Sequence, residues 1–171
     1  MIKHLLHWRI YLACLFLFCC GMIGFALYHQ IYAWVMPCLL CVYQRLGVIV
    51  IGLLALIGAI RAPKSKVGTA VLGGLIVLAS AVTAGVAAWN LLLQYGPREA
   101  GAQCASSLPF PIDLNQWPEW VGVLIRPVGD CSQITFTLFG LSVPLWMMLS
   151  ALAIAVVTAV VTVRRCKALA R

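Results

Sequence analysis

The sequence predicts an all-α membrane protein, a bundle of four transmembrane helices with cytoplasmic termini and two loops on the far side. Three observations carry this expectation. The 171 residues are 64% hydrophobic and only 9% charged, where a soluble domain carries about 25% charged residues. Four apolar stretches are each long enough to cross a hydrocarbon core, which takes roughly 20 residues of helix. Nine of the twelve basic residues fall on one side of those stretches: Lys3 and Arg9, then Arg61, Lys64 and Lys66, then Arg164, Arg165, Lys167 and Arg171. An excess of Lys and Arg marks the cytoplasmic side. All four acids, Glu99, Asp113, Glu119 and Asp130, fall on the opposite side. The net charge of +8 is therefore a topology signal and not a nucleic-acid patch. Residues 1–171 read as a single integral membrane domain.

The elements follow in order. The first span, about 10–28, reads as a retained helix, because its apolar run exceeds that of a secretory signal and no small-x-small cleavage site follows. Its Cys14, Cys19 and Cys20 read as small apolar residues. A short loop, about 29–38, leads to the second span at about 39–60. Pro37 suits the first turn of a helix, which would put Cys38 and Cys41 in that turn. The third span, about 67–94, is rich in small residues. The spacings Ala81–Gly85 and Ala84–Ala88 predict close approach of a neighbouring backbone. The long loop, about 95–140, lacks strand alternation and is rich in Pro. Trp117 and Trp120 in it suit a short helix or turn on the membrane surface, with anchoring as their main role. The fourth span is about 141–163, and Cys166 beyond it faces the cytoplasm.

Cys38, Cys41, Cys104 and Cys131 lie on the non-cytoplasmic side, where disulfides persist. Four cysteines permit three pairings. A Cys-x-x-Cys pair can bridge itself, which would leave Cys104 with Cys131. Two structural staples are the plain reading of these four. The first pair suits it badly, because so small a loop removes little entropy from the unfolded chain. Cys-x-x-Cys is instead the geometry of reversible dithiols. A zinc site would need a second close pair or suitably spaced His, and no metal is expected. Arg45 lies one turn beyond Cys41, a rise of about 6 Å on the same face. Its permanent charge can stabilise a Cys41 thiolate, which the helix N-terminus also favours, and negative charge on a bound quinone. Snorkelling to the headgroups is the alternative use of such an Arg, but an ionisable residue inside a span points to function.

The run Pro37-Cys38-Leu39-Leu40-Cys41-Val42-Tyr43-Gln44-Arg45, preceded by Ala26-Leu27-Tyr28-His29-Gln30, resembles the signature of the DsbB family, the disulfide bond formation proteins of the bacterial inner membrane. The resemblance continues in Phe110 to Trp120 with its Pro118-Glu119-Trp120, in Gly129-Asp130-Cys131 and in Phe139 to Trp146. It covers nearly the whole chain. It implies an inner-membrane protein-dithiol:quinone oxidoreductase with its redox loops in the periplasm. Such an enzyme reoxidises a DsbA-like thiol oxidase and passes the electrons to ubiquinone or menaquinone.

The resemblance also implies roles. The Cys104–Cys131 disulfide oxidises the partner, with Cys104 forming the mixed disulfide. Electrons then reach Cys38 and Cys41, with Cys131 and Cys38 bridging the loops on the way. Cys41 meets the quinone and Arg45 holds it. Asn90 and Gln94 complete the expected quinone site. Several relatives would carry a His where Asn90 stands; Asn can donate to a quinone oxygen but does not titrate at neutral pH. Joining a neighbouring helix is the other use of Asn90 and Gln94. A DsbA-type partner lies near −120 mV (about −120 mV being far above the glutathione pool), so a strong oxidant from the bilayer is needed. The competing reading is a structural four-span protein with stapled loops, and Arg45 beside a small-loop dithiol argues against it. A reductase running the other way, like vitamin K epoxide reductase, would place its redox pair in a later helix.

Overall fold

The computed structural model describes residues 2–34, 37–63, 65–95 and 137–170. Four long helices make up nearly all of it: α1 (Ile2–Tyr32), α2 (Leu39–Arg61), α3 (Lys66–Tyr95) and α4 (Val143–Leu169). Two-residue strands β1 (Thr137–Leu138) and β2 (Leu141–Ser142) pair antiparallel just before α4. Each helix is apolar and long enough to cross a membrane. The fold is the all-helical, four-span arrangement that the composition requires. Helix α1 outruns its expected apolar span at both ends, and α4 runs on to Leu169. A helix keeps its backbone bonds beyond the hydrocarbon edge, so apolarity marks the span and not the helix. Helix α4 starts at Val143 because Leu141 and Ser142 are taken up by the hairpin. Cys104, Cys131 and the Trp117–Trp120 element lie outside the described residues.

Helix α2 begins at Leu39, where the span was expected to start, but Pro37 and Cys38 do not lie in its first turn. Pro37 precedes the helix, and Cys38 is its N-cap, with extended backbone at φ −80° and ψ 168°. The Cys38 sulfur accepts the backbone N–H of Cys41 at 3.3 Å. It thus does the work usually given to a Ser or Asp oxygen. Helix α2 ends at Ala62, whose left-handed backbone (φ 40°) lets its N–H bond to Gly58 O at 2.9 Å. Ser65 then caps α3, its Oγ accepting from Gly68 N at 3.0 Å. Pro144 sits in the first turn of α4, where a missing N–H is harmless.

The packing order is α1 on α2, α2 on α3 and α3 on α4, with sparse contact between α1 and α4. The core joins Trp8, Leu12, Leu15 and Cys19 of α1 to Val48, Ile51 and Ala55 of α2, Ile76 of α3 and Ile154 of α4. The outward faces carry Leu17, Phe18, Leu53, Leu78, Val82 and Val156, an apolar surface suited to lipid. Cys14 and Cys20 lie on that surface, whereas Cys19 is in the core.

Of the two predicted spacings, Ala84–Ala88 turns a buried Ala84 and a half-buried Ala88 toward the bundle, whereas Ala81–Gly85 faces outward. Ala81 is exposed and Gly85 has nothing within 4 Å of a Cβ built on it. The buried face of α3 is Gly73, Ile76, Ser80, Thr83, Ala84, Ala87 and Asn90. There Gly73 meets Thr162 of α4, and Thr83 fills the space over Gly47 of α2. Small residues recur all round α3, so their spacing alone did not say which face was inward.

Basic residues gather at the end where α2 meets α3. Arg165 donates to Pro63 O at 2.6 Å and lies 5.0 Å over the Trp8 ring. Arg9 donates to Ala59 O at 3.0 Å, and Tyr11 bonds Thr158 at 2.6 Å, tying α1 to α4. Toward the opposite end, α1 and α4 face each other across a cavity.

Candidate active site

At the mouth of α2, the Sγ atoms of Cys38 and Cys41 are 2.7 Å apart. Cys38 is the cap and Cys41 the third helical residue, so helix geometry folds one sulfur back over the other. The Cys38 thiol is pushed well above the usual thiol range, first by its hydrogen bond to the Cys41 sulfur and then by burial. In the reduced pair the proton therefore stays on Cys38. Asn90 of α3 reaches both sulfurs, its Nδ2 lying 3.7 Å from Cys38 Sγ and 3.6 Å from Cys41 Sγ. It is fully buried, and its Oδ1 has no partner.

One turn deeper, Arg45 is 9% exposed. Its Nη1 donates to Oε1 of Gln30 on α1 at 2.5 Å. Cys38, Cys41 and Arg45 all line the cavity between α1, α2 and the start of α4, which measures about 480 Å³. That volume is typical of small-molecule sites. The remaining walls are mostly apolar, with Met22, Phe25, Val48 and Met147 among them. Polar groups converge at the sulfur end. Gln44 is 2% exposed and lines the cavity, and its Nε2 has no hydrogen-bond partner. Gln94 lines it from α3, with its buried Oε1 also unpartnered. Trp146 closes the α4 side, its Nε1 bonded to Leu138 O at 3.0 Å, and Leu138 is itself a wall residue.

The cavity thus brings together Cys38, Cys41, Arg45 and Gln94. Asn90 stands behind the sulfurs and is not among the lining residues. Cys104 and Cys131 lie outside the described residues. Gln30, His29 and Gln44 stood in the family signature, but sequence reasoning gave them no role; His29 and Gln44 line the cavity and Gln30 holds Arg45. Gln44 had a readable signal, being an amide within an apolar span next to Arg45. Trp146 closed a segment of the family resemblance without a role of its own, and Met147 carried no signal, since Met residues occur throughout apolar helices.

A paired-sulfur centre opening on an apolar cavity can exchange electrons with an apolar ligand held there. Comparison with known proteins decides whose chemistry this is: the family model for disulfide bond formation protein DsbB matches residues 8–161. The chain belongs to the DsbB family. Among curated relatives, the disulfide bond formation protein B of Chromobacterium violaceum is 37% identical over 129 residues, covering 75% of this chain and 77% of that protein. That of Xylella fastidiosa is 31% identical over 152 residues, covering 88% of each. That of Xanthomonas euvesicatoria is 32% identical over 133 residues, covering 78% of this chain and 77% of its own.

As a DsbB-family protein the chain is a disulfide-generating quinone oxidoreductase that sustains disulfide bond formation from within the membrane. The reading as a merely stapled four-span protein falls away. Quinone use belongs to the family, and the cavity suits a quinone: apolar walls for its substituents, and an unpartnered buried donor on Gln44 for a carbonyl oxygen.

Proposed function

We propose that the Cys38–Cys41 pair is the quinone-side redox centre and that Cys104 and Cys131 form the partner-side pair, facing the periplasm. The observation that carries this reading is the shared cavity, in which both sulfurs and the Arg45 guanidinium line one apolar space. The positive-inside distribution of Lys and Arg supports the orientation.

The exchange balances bond for bond. A thiolate of a DsbA-type oxidase attacks Cys104 and expels Cys131 as thiolate. Cys131 attacks Cys38 and expels Cys41, which leaves beside the Arg45 charge. The partner's second thiol then closes on the mixed disulfide and departs oxidised, releasing Cys104. Cys104 recloses on Cys131 and frees Cys38, which retains the proton.

A bound quinone, ubiquinone or menaquinone, supplies the two-electron acceptor. The protein's residues do the rest. Arg45 fixes a ligand oxygen near Cys41 and favours negative charge there. Gln44 and Gln94 offer one donor and one acceptor at the same end. The apolar walls exclude water, and Cys38 holds a proton at its Sγ. Because the two sulfurs already face each other, reclosing the disulfide needs no movement of α2.

The test is turnover of the purified protein with a reduced thioredoxin-like oxidase and added quinone, followed by quinone absorbance. The expected result is one quinone reduced for each partner dithiol oxidised. Cys104→Ser should stop partner oxidation, and full turnover by that variant would overturn the assigned order.

A further inference from the structure

We propose that Asn90 sets the redox balance of the Cys38–Cys41 pair, its amide N–H group holding the reduced sulfurs and so making the disulfide a stronger oxidant. This inference rests on Cys38–Cys41 being the quinone-side pair. It gives Asn90 a target other than the quinone.

Three observations carry it. Nδ2 lies within hydrogen-bond reach of both sulfurs, at 3.7 Å and 3.6 Å. Asn90 is fully buried and absent from the cavity wall, so its amide meets the sulfurs without itself lining the cavity. Its Oδ1 has no partner. An amide that served only to join helices would use its oxygen too; this one commits its donor to sulfur and leaves a buried acceptor unmet.

The physics gives the sign. A thiolate is a strong acceptor and a disulfide sulfur a weak one, so an N–H aimed at these atoms favours the reduced form. Cys41 N–H, at 3.3 Å from Cys38 Sγ, acts in the same sense. Stabilising the reduced state of a pair raises its reduction potential. The pair takes up two electrons as its disulfide opens, with one proton held at Cys38 and Cys41 left as the thiolate, and Asn90 shifts that equilibrium toward this reduced form.

The experiment isolates the pair in the full-length chain carrying Cys104→Ser and Cys131→Ser, without quinone or partner. The disulfide fraction across glutathione ratios is read from the mass of the alkylated peptide that holds both Cys38 and Cys41. Asn90→Leu, nearly the same size but without a donor, should shift the balance about tenfold toward the disulfide, a fall of about 30 mV. Asn90→His, which restores a donor, should return to within about threefold of the parent. With Cys104 and Cys131 present, the KM for quinone should change by less than about twofold in Asn90→Leu, because Asn90 is off the cavity wall.

An Asn90→Leu balance equal to the parent's would overturn the proposal. So would equal shifts in the Leu and His variants, or a large rise in quinone KM with no shift in balance. Should Asn90→Leu not fold, the Asn90→Ala and Asn90→His pair gives the same reading. A parent pair that does not titrate reversibly overturns the assignment of the redox centre itself, and this inference with it.

Discussion

Two buried arginines sit at opposite ends of the bundle, and they do different work. Arg45 is 9% exposed and Arg165 is 6% exposed. Neither has a carboxylate partner among the described residues, since all four acids lie within 96–136. Arg165 donates to the backbone oxygen of Pro63 and packs over Trp8, so it fastens α4 to the α2–α3 turn and to α1. Arg45 donates to the side chain of Gln30 and lines the cavity that both sulfurs share. Burial of a cation within an apolar bundle is thus not in itself the sign of a site. The open space beside it is.

Each arginine has a thiol near it, which gives the strongest test. Cys41→Ser should abolish quinone reduction, a loss above about a thousandfold on the scale seen when a nucleophile is removed. Cys166→Ser, near Arg165, should leave turnover unchanged in the same assay. Next in size, Arg45→Leu should raise the quinone KM about tenfold, corresponding to about 1.4 kcal/mol, with little change in melting temperature. Arg165→Leu should do the reverse, lowering stability by about 1–3 kcal/mol through loss of its carbonyl bond and ring contact while leaving KM alone. Were both variants to change KM equally, the distinction between the two ends would be lost.

The packed end can be probed further through neighbouring glycines. A Cβ at Gly73 would strike Thr162, whereas one at Gly74 meets nothing within 4 Å. Gly73→Ala should cost about 1–3 kcal/mol in thermal or denaturant unfolding, and Gly74→Ala close to nothing. At the open end, the raised Cys38 thiol should be slow to alkylate at pH 8, because a higher pKa leaves less thiolate there than an ordinary thiol shows. Cys41→Ala removes the largest cause and should speed Cys38 alkylation severalfold. A Cys38 rate that does not change would show that burial alone holds its proton.

How much of this was legible in the chain depends on whether local geometry or long-range packing decides it. The four spans were readable because lipid leaves a helix almost no choice of composition. Residues 38, 41 and 45 could be placed on one face because helical rise and twist convert spacing into direction. The cap at Cys38 was missed because sulfur is an unusual capping atom and Pro37 fits the first helical turn equally well. The partner of Arg45 was hidden, since no local rule brings Gln30 across from α1. The orientation of Asn90 and the inward face of α3 depend on which neighbour lies where. With glycine, alanine and serine spread all round α3, periodicity gave no preferred side.

The hairpin before α4 also sets a leash. Leu138 is a wall of the cavity, and Cys131 precedes it by seven residues. At about 3.5 Å per residue, that chain cannot carry the sulfur more than about 25 Å from the wall. Any thiol delivered along so short a tether meets its target at a high effective concentration, independent of how dilute the protein is. Lengthening the stretch between 131 and 137 should therefore slow internal transfer without touching a single atom of the cavity.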